Sequence, residues 1–284
     1  MFHLTHPQAE IFFPDPSQYA ELSKTTHLGI GAHQDDLEMM AIHGILAAYD
    51  DPGAAFTGVT VTDGRGAPRN GAYVNFSDDA LWAVRNEEQK AAAKIGNYLA
   101  QVLLNFPSEV VKSTERAAVV EELKLILQET RPQVIYTHNL ADKHDSHVAV
   151  VLAVLEACRD LPGWMPDVKV YGCELWRGLD WLPDDHKVAL DVSAHPELQD
   201  ALLAVFQSQI AGGKRYDLAA IGRRQANATF YQSYAVDKAT RMVYAMDLTP
   251  LIWNREINIS DFIAEMIQGL AQDVKNRYYR LDGE

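Results

Sequence analysis

The sequence predicts an α/β protein: a Rossmann-like, doubly wound, mostly parallel sheet with helices on both faces and a helical C-terminal part. Three observations predict it. Short runs of apolar and β-branched residues recur along the first two thirds of the chain. Segments with apolar residues at helical spacing separate them. Several of the runs end in clusters of ionisable residues, where open parallel sheets carry their ligands.

Residues 1–25, with Pro7, Pro14 and Pro16, read as an extension packed on the surface of a single domain covering 1–284. The first strand is 27–32 and runs into His33, Asp35 and Asp36. One mostly apolar helix follows (Met39, Met40, Ile42, Leu46, Ala47, Tyr49), capped by Asp35 or Asp36 and stopped at Asp50-Asp51-Pro52-Gly53. A second strand, Phe56 to Thr62, enters the polar, glycine-rich loop from Asp63 to Gly71. A helix from about Asp78 to Leu99 precedes a third strand, Gln101 to Phe106. Ser113 or Thr114 opens another helix, whose stripe is Val119, Val120, Leu123, Ile126 and Leu127.

The fourth strand, Gln133 to Thr137, ends in a second polar cluster from His138 to His147, and an apolar helix, Val148 to Cys158, follows. Strands at Val168–Trp176 and Lys187–Val192 complete the pattern. From about His195 helices dominate: one carries Leu198, Leu202, Leu203 and Phe206, one spans Tyr216 to Ala228, and an amphipathic one spans Ser260 to Tyr279. Arg223 and Arg224 read as candidate interface residues.

Composition narrows the function. The chain has 284 residues, 48% hydrophobic and 23% charged, the balance of an ordinary globular protein. A formal net charge of −14 argues against nucleic acid or an anionic membrane, which need a basic face. Cys158 and Cys173 are too few for a disulfide framework and read as reduced core thiols. No basic leader with an apolar core opens the chain, and no window approaches ~18 consecutive apolar residues, so the expectation is a cytoplasmic protein without a membrane span.

Two clusters carry the chemistry. A catalytic zinc site keeps three protein ligands and an open position. Histidine with carboxylate suits Zn²⁺ or a similar divalent transition metal, whereas carboxylates alone favour Mg²⁺ or Ca²⁺. His33 and Asp36, three apart across a strand-to-helix turn, can address one ion, and His144 or His147 can supply the third ligand from another strand end. Taken singly, each has an ordinary alternative: Asp35 and Asp36 as helix-start acids, the histidines as partly buried or loop residues. Gly29-Ile30-Gly31 lacks the third glycine of a dinucleotide fingerprint, and acids stand where a pyrophosphate would lie.

Ala32-His33-Gln34-Asp35-Asp36-Leu37-Glu38 resembles the A-H-P-D-D-x-E signature of the zinc-dependent de-N-acetylases, the PIG-L or LmbE-like family. That family includes the N-acetylglucosaminyl-phosphatidylinositol deacetylases and the deacetylases of the mycothiol and bacillithiol pathways. Asp142-Lys143-His144-Asp145-Ser146-His147 resembles its D-x-H-P-D-H motif, Thr62-Asp63-Gly64 its T-x-G loop, and Arg85-Asn86-Glu87-Glu88 its R-x-x-E helix. The resemblance covers roughly 26–210. Two positions depart from it: Gln34 stands in place of proline, and Asp145-Ser146 in place of proline and aspartate.

The resemblance implies that His33, Asp36 and His147 hold Zn²⁺ and that Asp35 is the general base for attack of metal-activated water on an N-acetyl group. It further implies that a protonated His144, held by Asp142, stabilises the oxyanion. Asp63, Arg65 and Arg85 suit sugar hydroxyls or an anionic aglycone, or hold the loop as surface charges; Trp176 and Trp181 are candidates for stacking a sugar ring. The expected activity is removal of acetyl from an N-acetylglucosamine-type sugar or conjugate, a small-molecule substrate. Amide cleavage in a thiol–sugar conjugate and a non-catalytic sugar-binding member of the fold are the alternatives. Multimers are common in the family, which implies a homo-oligomer.

Overall fold

A computed structural model describes residues 2–19, 21–114, 116–161, 163 and 167–283. Its strands, in chain order, are β1 (Glu10–Phe12), β2 (His27–Gly31), β3 (Phe56–Thr62), β4 (Ala100–Phe106), β5 (Val134–His138), β6 (Lys169–Cys173), β7 (Lys187–Asp191) and β8 (Met242–Asp247). They form one eight-stranded sheet in the order β1-β4-β3-β2-β5-β6-β8-β7. The five inner strands from β4 to β6 are parallel, and β1, β8 and β7 add antiparallel edges. The fold is therefore the expected mostly parallel α/β sheet.

The helices are α1 (Asp36–Met40), α2 (Ile42–Asp50), α3 (Asp78–Ile95), α4 (Ser108–Lys112), α5 (Ala117–Thr130), α6 (Asp145–Arg159), α7 (Pro196–Ala204), α8 (Gln207–Ile210), α9 (Tyr216–Phe230), α10 (Thr249–Trp253) and α11 (Ile259–Asp282). Two apolar cores, one on each face of the sheet, hold them. Leu28 and Ile30 of β2 point into the core shared with α5 and α6. The opposite face of β2 carries Gly29 and Gly31, and there α1 comes close: a Cβ built on Gly29 lies 2.7 Å from Phe56 Cζ and 3.0 Å from Leu37 Cδ2. The two glycines thus set how near the helix bearing Asp36 can approach the strand bearing His33.

Chain order decides where ligands bind. From β2 the chain moves outward through β3 and β4, then returns to place β5 on the other side of β2. Such a reversal leaves a crevice between the carboxyl ends of β2 and β5, and the two polar clusters follow those two strands.

Several boundaries differ from the sequence expectation. The single helix after the first strand is two, broken at Ala41, whose backbone N–H bonds Leu37 O as the cap of α1. The helix expected from Ser113 or Thr114 is α5, which starts at Ala117, and the short α4 before it was not expected. α6 starts at Asp145 rather than Val148, which puts His147 in its first turn. β1 and β8 were not expected. β1 has three residues, below the length at which alternation is readable. β8 is a buried apolar run inside a segment read as helical, and its position beside β6 is a tertiary outcome. Among the described residues no helix is long and apolar enough to cross a membrane.

Gly29→Ala is expected to force Phe56 or Leu37 aside and to cost about 1–3 kcal/mol, the usual cost of an added methyl in a packed interior. A lower urea midpoint at unchanged slope measures it.

Candidate active site

Asp36 is almost wholly buried, and one of its oxygens is the meeting point of the site. Oδ2 accepts the backbone N–H of His33 at 2.7 Å and lies 3.4 Å from His33 Nδ1 and 3.5 Å from His147 Nε2. The two imidazole nitrogens are 3.2 Å apart. Three ligands about 2.0–2.1 Å from a tetrahedral metal ion stand roughly 3.4 Å from one another, so this triangle has the dimensions of a three-ligand zinc site. His144 adds a ring nitrogen within 4.8 Å of those of His33 and His147. Burial acts to raise the Asp36 carboxyl, but the imidazoles of His147 and His138 outweigh it and hold the group well below the carboxylate range.

His138, which sequence reasoning left without a role, is fully buried and stacks on His147 with ring centroids 3.9 Å apart. Its Nε2 accepts the backbone N–H of Ala32 at 2.9 Å. The lone pair is thereby occupied, so the 3.3 Å approach to Asp36 Oδ2 is not a donated hydrogen bond and the nitrogen is unavailable to a metal. His138 orients the ligand ring instead.

Asp35 occupies the N-cap position of α1 without the expected side-chain capping bond, at φ +93°, a left-handed conformation that costs a non-glycine residue and that recurs at functional sites. Its backbone N–H donates to Gln89 Oε1 at 3.1 Å. Burial pushes its carboxyl well above the ordinary value; Arg85, 3.9 Å away, opposes the rise, and Asp36 and Glu38 add to it. A carboxyl so placed, beside the triangle and on the cavity wall, suits proton transfer.

Gln34 is fully buried. Its Oε1 accepts from Arg85 Nε at 3.0 Å, its backbone carbonyl accepts from Arg85 Nη2 at 2.8 Å, and its Nε2 donates to Asn86 Oδ1 at 3.0 Å and, more weakly, to the carbonyl of Asp63. A proline here could make none of the side-chain bonds. The residue that departs from the family pattern thus ties the signature turn to α3 and to the loop after β3.

The second departure also resolves. Ser146 Oγ, at the usual acid position, pairs with Ser108 Oγ at 3.1 Å. The carboxylate near the ligand ring is Asp142, whose Oδ1 lies 3.4 Å from His147 Nδ1. This corrects the expected role of Asp142. Its oxygens accept the backbone N–H groups of His144 and Trp176 at 3.0 Å and face His147, leaving His144 Nδ1 without a protein partner. Burial and the neighbouring His33 lower the affinity of His144 for a proton, against the pull of Asp36 and Asp142.

A cavity of about 410 Å³ opens over the triangle. His33, Asp35, Asp36 and His144 line it, as do Asp63 and Arg85. Arg65 does not. Its guanidinium pairs with Asp63 and Asp79 and lies over Trp82, with 4.5 Å to the ring centroid, so it holds the loop. Trp176 lines the cavity and Trp181 packs on the core.

The C-terminal part closes the cavity with Gln209 and Tyr216; Gln207-Ser208-Gln209 resembles a helix segment of family members, but sequence reasoning assigned neither residue a role. Ser208 anchors this wall, its N–H and hydroxyl bonding the two carboxylate oxygens of Glu88 at 2.7 and 2.6 Å. Arg224, read as an interface candidate, is instead buried: Nη2 donates to the carbonyls of Glu38 and Met39 at the C-terminal end of α1, where a cation is favoured.

Gln34→Leu is expected to strand the polar groups of Arg85 and Asn86 and to destabilise the fold by about 2–4 kcal/mol, read from urea unfolding. Metal analysis of purified protein should find about one zinc per chain, and none in His147→Ala. Chelation should lower the melting temperature and added zinc restore it, because a ligand that binds only the folded state stabilises it.

The family described as PIG-L, GlcNAc-PI de-N-acetylase, matches residues 28–158. The uncharacterized deacetylase YaiS of Escherichia coli (strain K12) is 29% identical over 140 residues, 48% of this chain and 69% of that protein. Among solved structures, N,N'-diacetylchitobiose deacetylase from Pyrococcus horikoshii superposes with a TM-score of 0.63 at 17% identity, covering 92% of each chain. GalB, the 4-carboxy-2-hydroxymuconate hydratase of Pseudomonas putida KT2440, superposes with 0.61 at 18% identity, covering 80% of this chain and 97% of that one. These likenesses establish the fold.

Proposed function

We propose that this chain, which resembles the PIG-L family over residues 28–158, is a zinc-dependent amidohydrolase that removes the N-acyl group, acetyl in the simplest case, from a glucosamine-type sugar or sugar conjugate. The fold does not choose the reaction, since a hydratase shares it. The observation that carries the reading is the triangle of His33 Nδ1, Asp36 Oδ2 and His147 Nε2 with Asp35 beside it. A purely binding site gives the strained, raised Asp35 no task.

His33, Asp36 and His147 would hold the ion. When bound, zinc supplies Lewis acidity and lowers the pKa of water towards about 7. The protein's own groups do the rest. Asp35 takes the proton of the attacking water on a carboxyl oxygen and returns it to the amide nitrogen as the C–N bond breaks. The products are a carboxylate and a free amine, and the water supplies the new carboxylate oxygen. His144, at the cavity wall, offers a ring N–H to the developing oxyanion, a contribution of roughly 3–4 kcal/mol for a well-placed donor. Asp142 and His138 fix the orientation of His147, and Asp63 and Arg85 face the sugar.

Asp35→Asn keeps the size of the side chain and tolerates positive φ. It is expected to retain zinc and to lose about 10²–10⁴ in turnover, followed as amine release from a panel of N-acetylated sugars with and without chelator. Full activity in Asp35→Asn would remove it as the base.

A further inference from the structure

A second cavity, about 170 Å³, adjoins the catalytic one, and Met39, Trp176 and Tyr216 line both. Beyond these three its walls are largely apolar, from Leu175, Ala219, Ala220 and Val243. The charged groups on its lining each make hydrogen bonds to the protein, although Arg224 Nε has no partner among the described residues. Glu174 accepts the N–H groups of Tyr244 at 3.0 Å and Leu179 at 3.2 Å, Arg223 donates to Leu175 O, and Arg224 donates to Gln199 and the end of α1.

The sheet places the two cavities on opposite sides of the metal-site residues. The triangle sits over β2 and β5. The polar wall, with Asp63, Arg85, Glu109 and Lys112, comes from the β3 and β4 side. The apolar cavity comes from the β6 and β8 side, through Glu174–Trp176 and Val243. An amide cleaved between them also has two ends: the sugar leaves the carbonyl carbon through nitrogen, the acyl chain through carbon. A sugar on the polar wall sends the acyl chain towards the apolar cavity.

Resting on the amidase reading above, we infer that this cavity is an acyl-chain subsite and that the preferred substrates carry an N-acyl group longer than acetyl. A cavity of about 150 Å³ accommodates benzene, so this one takes a chain of about hexanoyl length or a phenyl ring. The reaction is unchanged: water adds to the carbonyl carbon, the C–N bond breaks, and a longer carboxylate leaves with the amine.

The test follows amine release from N-acetyl-, N-butanoyl-, N-hexanoyl-, N-decanoyl- and N-succinylglucosamine, and from the octyl glycoside of N-acetylglucosamine. Catalytic efficiency is expected to rise about fourfold per added methylene at most, the ordinary worth of burying one, and to stop rising beyond hexanoyl. Ala220→Phe, or Ala219→Phe if the first does not fold, should bring the hexanoyl-to-acetyl ratio back towards one. Equal efficiencies across the acyl series overturn the subsite and leave the amidase reading standing. A preference for succinyl overturns the apolar assignment in favour of an anionic chain met by the arginines. A gain confined to the octyl glycoside places the aglycone there instead. Absence of amine release from every amide overturns the amidase reading, and the subsite with it.

Discussion

The site depends on one buried carboxylate. Asp36 has almost no contact with water, and an ionised carboxylate in that position is costly unless it is paired. The compensation comes from two directions: the backbone N–H of His33 within its own turn, and the imidazole of His147 from across the sheet. The first is local and the second is not. The carboxylate therefore makes the β2 turn and the start of α6 interdependent, and any distortion that separates them leaves a charge in the interior. The same oxygen that needs compensation is the one the proposed reading gives to the metal. A divalent cation is the partner that this cluster of one acid and several imidazoles would suit.

Around that charge the protein builds rigidity with polar groups rather than apolar ones. Gln34, Arg85, Asn86 and the loop after β3 form one buried network, and Gln89 joins it from the next turn of α3 by bonding both Asp35 and Glu38. Such a network is worth its desolvation only when nearly every member is satisfied. It fixes the unusual backbone of Asp35 and the position of Arg85 together. At the position where the family signature has proline, this chain carries a glutamine whose side chain reaches a different element, so the turn's geometry depends on α3 being in place.

The C-terminal third is tied to the site by two further contacts. Glu88 caps the short α8 through Ser208, and Arg224 caps α1 through its terminal carbonyls. Both join a segment to which the sequence assigned no function to residues within four of the cavity-wall side chains Arg85 and Asp36. These ties set Tyr216 and the α9 face over the crevice and create the division into a polar and an apolar cavity.

The sequence alone determined the α/β class and the places where strands end in ionisable residues. Those properties are local: hydrophobic period, turn chemistry and motif spacing lie within a few residues of one another. It did not determine that β2 and β5 are neighbours, because the reversal of strand order is a long-range choice among pairings of similar apolar runs. It left His138 without a role, since its partners Ala32 and His147 are an amide and a ring on two different elements. It misassigned Asp142, which is near His144 in the chain but turns its carboxylate to backbone amides and His147. It left Arg65 open between substrate and loop, and Asp79 and Trp82 decide for the loop. The role of Gln34 was unreadable for the same physical reason. A buried polar side chain is defined by the partners that satisfy it, and those partners, 29 and 51–52 residues away, are brought within hydrogen-bonding distance only by the folded sheet.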